Sequence, residues 1–522
     1  MNDNAKKVAI YDTTLRDGCQ AEGVALSLED KLEIAERLDE LGVHYVEGGY
    51  PLSNPKDQQF FERVGRLGLR NARVVAFGST RRAGNKAAAD PWLEAVLGAE
   101  TPAVTIVGKA WGFHVTDVIR TDLDENLRMV EDSVRYLKER GREVIFDAEH
   151  FFDGYAANPD YALKVCRVAA AAGADCVCLC DTNGGALPDQ VRDATACLVG
   201  EVPCAVGIHC HNDCGLGVAN SVIAVRAGAE HVQGTLNGLG ERTGNADLCV
   251  ILPILQVKMG RNCVSAEQLR KLTEVSRFAY EAANLMYRPW QPFVGASAFA
   301  HKGGLHVDAM RKADGAYEHM APALVGNERR YLLSELSGHA GMREKLHDYD
   351  LAQDRAMVER LLERLGELEN QGYQFEAAEA SFEMLARKMA PDYVPPFTVR
   401  SYHVNVIKQT DGGLITDATV KIDVKGQTMH TASEGDGPVN ALDGALRKAL
   451  EPHFPQLKDM HLTDFRVRVI NPRDATAAKV RVVIQSVAGN RLWGTVGVHE
   501  NIIDASWQAL LDSIEYMLLM KD

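Results

Sequence analysis

His209 and His211 stand two residues apart where the run Val202-Pro203-Cys204-Ala205-Val206-Gly207-Ile208 gives way to Asn212-Asp213-Cys214-Gly215. A short apolar stretch bounded by Pro and a polar segment predicts a buried strand ending in a loop. Residues i and i+2 of a strand share a face, so the two imidazoles should project together from its C-terminal end. Such a pair suits one divalent metal, with carboxylate or water oxygens completing the shell. Asp17, in Asp12-Thr13-Thr14-Leu15-Arg16-Asp17-Gly18, supplies a carboxylate. Two imidazoles and one carboxylate leave positions open for a ligand that binds through oxygen, on which the metal would act as a Lewis acid. A 2-oxo acid fits, because its carboxylate and carbonyl oxygens can chelate one cation. Arg16, beside Asp17, offers a guanidinium that can stabilise charge developing on an oxygen.

These groups are far apart in sequence, so a scaffold must gather them. Strand-like runs recur at Val8–Thr14, Val43–Gly48, Arg73–Phe77, Ala103–Val107, Glu143–Glu149, Cys176–Asp181, Cys204–His211 and His231–Leu236. Helical patterns such as Leu28–Leu41, Leu123–Lys138, Tyr161–Ala172 and Leu216–Ala227 lie between them. Gly42, Gly141 and Gly173 sit where a helix would hand over to the next strand, the expected place for a C-cap glycine. Eight strand–helix units in roughly 260 residues match an α/β fold of the (β/α)8 TIM-barrel type. A doubly wound open sheet would carry Gly-x-Gly-x-x-Gly after an early strand, and none is present.

In a barrel the C-terminal strand ends carry function. Reading those ends brings together Asp12 to Gly18, Glu47, Asp147 and Glu149, Asp181-Thr182-Asn183-Gly184, His209 and His211, and Asn237-Gly238-Leu239-Gly240-Glu241-Arg242-Thr243-Gly244-Asn245. Glu149 is placed there for acid–base work or for orientation, with a satisfied structural carboxylate as the bland alternative. Cys176, Cys178 and Cys180 share one strand face. Alternate positions on one rigid strand cannot wrap a tetrahedral zinc unaided, so they read as barrel-interior thiols. Trp111, Phe113 and His114 follow the fourth strand and could line the mouth.

The chain has 522 residues, 46% of them hydrophobic, enough to bury a large core in two or three domains. A net charge of −15 leaves no basic footprint for nucleic acid or an anionic membrane. No apolar stretch reaches membrane-spanning length. The first residues lack a signal-peptide core, and eleven cysteines at no framework spacing favour free thiols in a reducing compartment. A cytoplasmic location is expected. Beyond the barrel (1–275), residues 276–395 read as charged and helical, notably Asp354–Leu368 and Phe375–Met389. They include the Gly-rich stretch Phe299-Ala300-His301-Lys302-Gly303-Gly304-Leu305-His306-Val307-Asp308-Ala309-Met310, with Tyr317 soon after. Residues 396–522 repeat a strand–strand–strand–helix pattern, which predicts an α+β domain of two βββα units. Gly-rich entries at Glu434–Pro438 and Gly497–Asn501 could hold an amino-acid carboxylate, or could serve turn geometry alone.

Three separated motifs, Asp12-Thr13-Thr14-Leu15-Arg16-Asp17-Gly18-Cys19-Gln20, His209-Cys210-His211-Asn212-Asp213 and Gly238-Leu239-Gly240-Glu241-Arg242-Thr243-Gly244-Asn245, resemble the signatures of the DRE-TIM metallolyases. The catalytic-cysteine loop of that superfamily's hydroxymethylglutaryl-CoA lyases is absent. The chain is most similar to the Claisen-condensing acyltransferases: 2-isopropylmalate, homocitrate and citramalate synthases. Val46-Glu47-Gly48-Gly49-Tyr50-Pro51-Leu52-Ser53-Asn54-Pro55-Lys56-Asp57 looks like the (R)-citramalate synthase branch.

The resemblance implies condensation of acetyl-CoA, as co-substrate, with pyruvate. 2-Oxoisovalerate and 2-oxoglutarate are the alternatives, and a non-catalytic amino-acid sensor is the remote one. It implies Mg2+, Mn2+ or Zn2+ held by Asp17, His209 and His211, with Asn245 in or beside the shell. It implies contacts from Arg16 and Thr182 to the 2-oxo acid. His306 and Tyr317 would act in the neighbouring subunit's site, with His306 or Glu149 as the base. Cys214, where Leu or Met is common, is not at a ligand position. The last region resembles a dimeric regulatory domain that binds a branched-chain amino acid. It implies a homodimer, with isoleucine as the expected feedback effector.

Overall fold

Alternating strand and helix carry through the first half of the chain in the computed structural model, which describes residues 6–520 apart from 53, 333–338, 352–354, 377, 411, 472–476 and 490. Eight parallel strands close into a barrel: β1 (Ala9–Asp12), β2 (Tyr45–Gly49), β3 (Arg73–Ser79), β4 (Ala103–Lys109), β5 (Glu143–Glu149), β6 (Cys176–Asp181), β7 (Ala205–Cys210) and β8 (His231–Gly234). Closure is by β1 against β8, with Ala9 opposite His231 and Asp12 opposite Gly234. The expected (β/α)8 architecture is present.

The helix over Leu28–Leu41 shows how local sequence sets the units. Ser27 and Asp30 form a capping box at its start, and Gly42, with φ of 84°, ends it by donating its N–H to the last turn. Gly141 and Gly173 likewise adopt positive φ just past their helices. Alternation along the strands separates two cores. Outward residues such as Ile10, Val46, Val104, Phe146, Val177 and Val232 pack into the layer shared with the helices. Tyr11, Val75, Ala103, Ile145, Cys176 and Cys178 fill the barrel's centre. Cys176 and Cys178 are therefore packing groups, and burial pushes the Cys178 thiol well above its ordinary range.

The chain divides into two compact units, Met1–Phe299 with Met320–Arg329, and Ala300–His319 with Arg330–Asp522. In the second, strands Phe397–Lys408, Leu414–Val424 and Gln427–Gly435 form one antiparallel sheet followed by the helix Pro438–Leu450. Strands Met460–Val469, Val480–Ala488 and Arg491–His499 form another, followed by Ile502–Leu519. The two βββα units share one core, in which Val420, Ile422, Leu446, Ile484 and Leu510 meet. The Gly-rich stretch winds into a helix, Gly304–Lys312.

The helix expected over Phe375–Met389 starts later, at Glu379. Phe375 lies in the preceding turn and packs against Phe382, with ring centroids 6.0 Å apart, so its hydrophobic spacing reflects a fold-back contact. The neighbouring helix runs Arg355–Gln371. Asp354 and Ser53 lie outside the described residues.

Candidate active site

β1, β7 and the loop after β8 bring Asp17, His209, His211 and Asn245 together at the C-terminal mouth of the barrel. His211 is the first residue past β7 and forms an isolated bridge with Asn245. The two imidazoles lie with centroids 5.3 Å apart. One donor atom from each of Asp17, His209 and His211 falls within 4.8 Å of the others, and all three residues are buried. Asn245 Nδ2 lies 3.3 Å from Asp17 Oδ2 and 3.4 Å from His209 Nε2.

The fit to a cation can be tested on the atoms left over. Asn245 Oδ1 and His211 Nδ1 are buried with no hydrogen-bond partner among the described residues. Unsatisfied buried acceptors are costly, and a cation is the partner that satisfies several at once. Electrostatics agrees. Burial pushes the Asp17 carboxyl up, but Arg16 and then the two imidazoles more than offset it, so it sits below the usual range. Burial, then His209, lowers His211 to about 4. Both donors are unprotonated at neutral pH, the form that binds metal. The residues fit a divalent ion with an open position.

Arg16 is locked beside this group. Its guanidinium pairs with Asp17 and with Glu47 and lies 4.0 Å over the Phe77 ring. Glu47 is fully buried and also accepts from the Tyr11 hydroxyl at 2.5 Å. A cavity of about 530 Å³ opens beside Arg16, lined in part by Leu15, Tyr50, Phe77, Trp92 and Val107. The Thr182 hydroxyl accepts from the backbone N–H of His150 at 2.9 Å, so its own proton remains available to an anionic ligand.

Lys109 and His150 join the rim groups without a local signal in the sequence. Lys109 ends β4 opposite Glu149 in register, and the two form an ion pair at the rim. Arg242 joins three loops: it holds Asp213 at 2.7 and 2.9 Å and donates to the Thr182 carbonyl at 2.8 Å. His150 and Arg242 both adopt left-handed φ, 55° and 57°. His150 lies against His114, with centroids 4.0 Å apart and the rings tilted by 40°. The cross-strand pairing of Lys109 with Glu149 has no local signal, whereas Arg242 lies within the motif Gly238-Leu239-Gly240-Glu241-Arg242-Thr243-Gly244-Asn245. Asp12 and Asp181, singled out as rim carboxylates, serve turns. Asp12 accepts from the Thr14 backbone and hydroxyl at 2.8 and 2.9 Å, and Asp181 accepts from Gly185 and Ala186.

His306 and Tyr317 belong to the second compact unit. They form an exposed stacked pair, centroids 4.0 Å apart and planes within 19°. Nearby, His301 pairs with Glu318 at 3.1 Å.

Comparison with known proteins adds three family matches: HMGL-like over residues 7–278, the homocitrate synthase post-HMGL domain-like region over 293–373, and the LeuA allosteric (dimerisation) domain over 376–518. The chain is 52% identical to the (R)-citramalate synthase of Aquifex aeolicus, covering 99% of each chain. It is 49% identical to the (R)-citramalate synthase of Geobacter sulfurreducens, over 98% of this chain and 97% of the relative. A probable 2-isopropylmalate synthase of Methanopyrus kandleri is 31% identical over 97% of this chain and 98% of the relative.

Proposed function

The chain belongs to the (R)-citramalate synthase family, and from that premise we propose that it condenses acetyl-CoA with pyruvate and hydrolyses the product thioester, releasing (R)-citramalate and CoA. The observation that carries this is the buried Asp17, His209 and His211 cluster beside a locked Arg16, in a chain similar end to end to citramalate synthases at 52 and 49% identity. Asp17, His209 and His211, with Asn245 completing or flanking the shell, would hold Mg2+, Mn2+ or Zn2+, which would supply Lewis acidity for a 2-oxo acid.

The remaining work falls to the chain's own residues. The Thr182 hydroxyl donates a hydrogen bond to the pyruvate carboxylate, and Arg16 faces the oxygen that gains negative charge as the new carbon–carbon bond forms. A fixed guanidinium in a buried site stabilises that charge without reorganising, typically the largest catalytic effect. Glu149, steadied by Lys109, or His306 takes a proton from the acetyl methyl. Water then cleaves the C–S bond of the thioester, CoA leaves as the thiol, and the sequence becomes effectively irreversible.

His306 and Tyr317 serve the site of the neighbouring subunit in a homodimer; their exposure and mutual stacking leave them available for this. The barrel over 1–275 is the catalytic domain, 276–395 the linker that contributes to the active site, and 396–522 the regulatory domain. The LeuA allosteric (dimerisation) match supports dimerisation and an amino-acid effector, for which isoleucine is our choice. A cytoplasmic site of action is supported by eleven free cysteines. Among the described residues no helix is long and apolar enough to cross a membrane.

The test is CoA-thiol release from acetyl-CoA with metal present, across pyruvate, 2-oxobutyrate, 2-oxoisovalerate and 2-oxoglutarate. Pyruvate should be preferred. Preference for 2-oxoisovalerate would move the enzyme to isopropylmalate synthesis with the same site, and no release with any acid would remove the condensation. One methylene is worth only about 1–3 kcal/mol in such a pocket, so the full panel is needed.

A further inference from the structure

Gln233 lies on β8 with its side chain wholly buried, and strand register sets it beside His209 of β7. Both ends of its amide are engaged. Oε1 is 2.8 Å from His209 Nδ1, and Nε2 donates to Asp147 Oδ1 at 2.9 Å. A carbonyl oxygen only accepts, so a His209 ring with a single proton carries it on Nδ1. The lone pair is then on Nε2, the nitrogen that faces Asp17 Oδ2 at 3.4 Å.

The orientation of the amide matters because its two ends have opposite demands. Turned by half a revolution, Gln233 would set its NH2 group against Nδ1 and drive the proton to Nε2, which could no longer ligate. It would also set Oε1 against an oxygen of Asp147. Burial, then Glu47, pushes the Asp147 carboxyl up to about 8, and the protonated acid still offers Oδ1 as an acceptor when its proton sits on the other oxygen. An apolar side chain of similar size would fill this barrel layer without burying an amide, whose desolvation is costly.

We propose that Gln233, backed by Asp147, is a positioning residue that holds His209 in the Nδ1–H tautomer and keeps Nε2 open to the catalytic cation. This rests on the reading of Asp17, His209 and His211 as the metal site. Gln233 touches no reacting atom in this scheme, and its effect passes through His209.

The test is Mn2+ titration by calorimetry on chelator-stripped enzyme, with the metal-induced rise in melting temperature as a second readout. Q233M, which keeps the volume but not the acceptor, should bind Mn2+ about ten- to a hundredfold more weakly and lose most of that rise. Q233E, which still accepts from Nδ1, should stay within about threefold of wild type. Equal affinity in wild type and Q233M overturns the proposal, as does a loss in Q233E as large as in Q233M. Should Q233M not fold, 15N-histidine spectra of the metal-free wild type decide: His209 protonated on Nδ1 supports the proposal, and on Nε2 overturns it. D17N separates this inference from its premise. Undiminished binding in D17N refutes the metal site itself, whereas loss in D17N with none in Q233M removes only the role of Gln233.

Discussion

At neutral pH Asp17 is a carboxylate and His211 a neutral imidazole, for opposite reasons: Arg16, then the imidazoles, outweigh burial at the carboxylate, while burial and His209 act in the same direction at the imidazole. That convergence makes the pair a receptor for a cation. Glu149 differs, because its partner is the Lys109 ammonium at the rim. If Glu149 moves the proton, E149Q should lose about 10²–10⁴ in turnover while binding Mn2+ like wild type. D17N should lose both. Steady-state CoA release, set beside calorimetric metal binding, separates the two roles; an E149Q enzyme within a few fold of wild type would leave His306 as the base.

The loops after β6, β7 and β8 act as one element. The Asn212 N–H reaches the Gly244 carbonyl at 2.9 Å, Asn245 N–H reaches the Gly238 carbonyl at 3.1 Å, and Arg242 ties Asp213 to Thr182. Gly244 is the point at which this element cannot accept a side chain: its φ is +93°, and a Cβ there would come within 2.0 Å of the Gly238 carbonyl oxygen. G244A should therefore cost about 1–3 kcal/mol of stability and displace Asn245, weakening metal binding as well. Denaturant midpoints for the chelated and Mn2+-loaded forms would show both effects. A G244A protein as stable as wild type would mean that the loop relaxes around the methyl group.

If His306 acts across a dimer, D17N and H306A proteins, each inactive alone, should recover about a quarter of wild-type activity when dissociated and reassembled together. Half the dimers are then mixed, and each mixed dimer has one intact site. No recovery would place His306 in the site of its own chain or outside catalysis. Stability should depend on two histidines at the base of the barrel. Burial lowers His44 to about 4 and His231 to about 3. His44 Nδ1 accepts from the Ile10 N–H at 3.1 Å, a bond that only the unprotonated nitrogen can make. Unfolded histidine protonates near pH 6.5, so between that value and about 4 the unfolded chain binds more protons, and stability falls as pH falls. H231Q should reduce that decline by about one proton, roughly 1.4 kcal/mol per pH unit, in urea midpoints measured from pH 6.5 to 4.5. An unchanged slope would mean that His231 titrates normally when folded.

Hydrophobic alternation, glycine stops and strand-end chemistry were enough to read the barrel, the two βββα units and the gathering of Asp17, His209, His211 and Asn245. These features depend on short-range periodicity and on the one-sided placement of loops in a parallel barrel, both written locally in the chain. The pairing of Lys109 with Glu149, the support of His209 by Gln233 and Asp147, and the turn-forming roles of Asp12 and Asp181 were not legible in that way. Each depends on which residues face one another across strands tens of residues apart, and a shift of one residue in register would turn those side chains to the other face. Phe375 carried the opposite lesson, since a spacing that suits a helix arose from a turn folding back on Phe382. Local pattern along the chain is enough to say which chemical groups this protein has and at which rim they lie. Only the tertiary structure decided which of them share a proton, a charge or an amide, because those partnerships are set by distance through space.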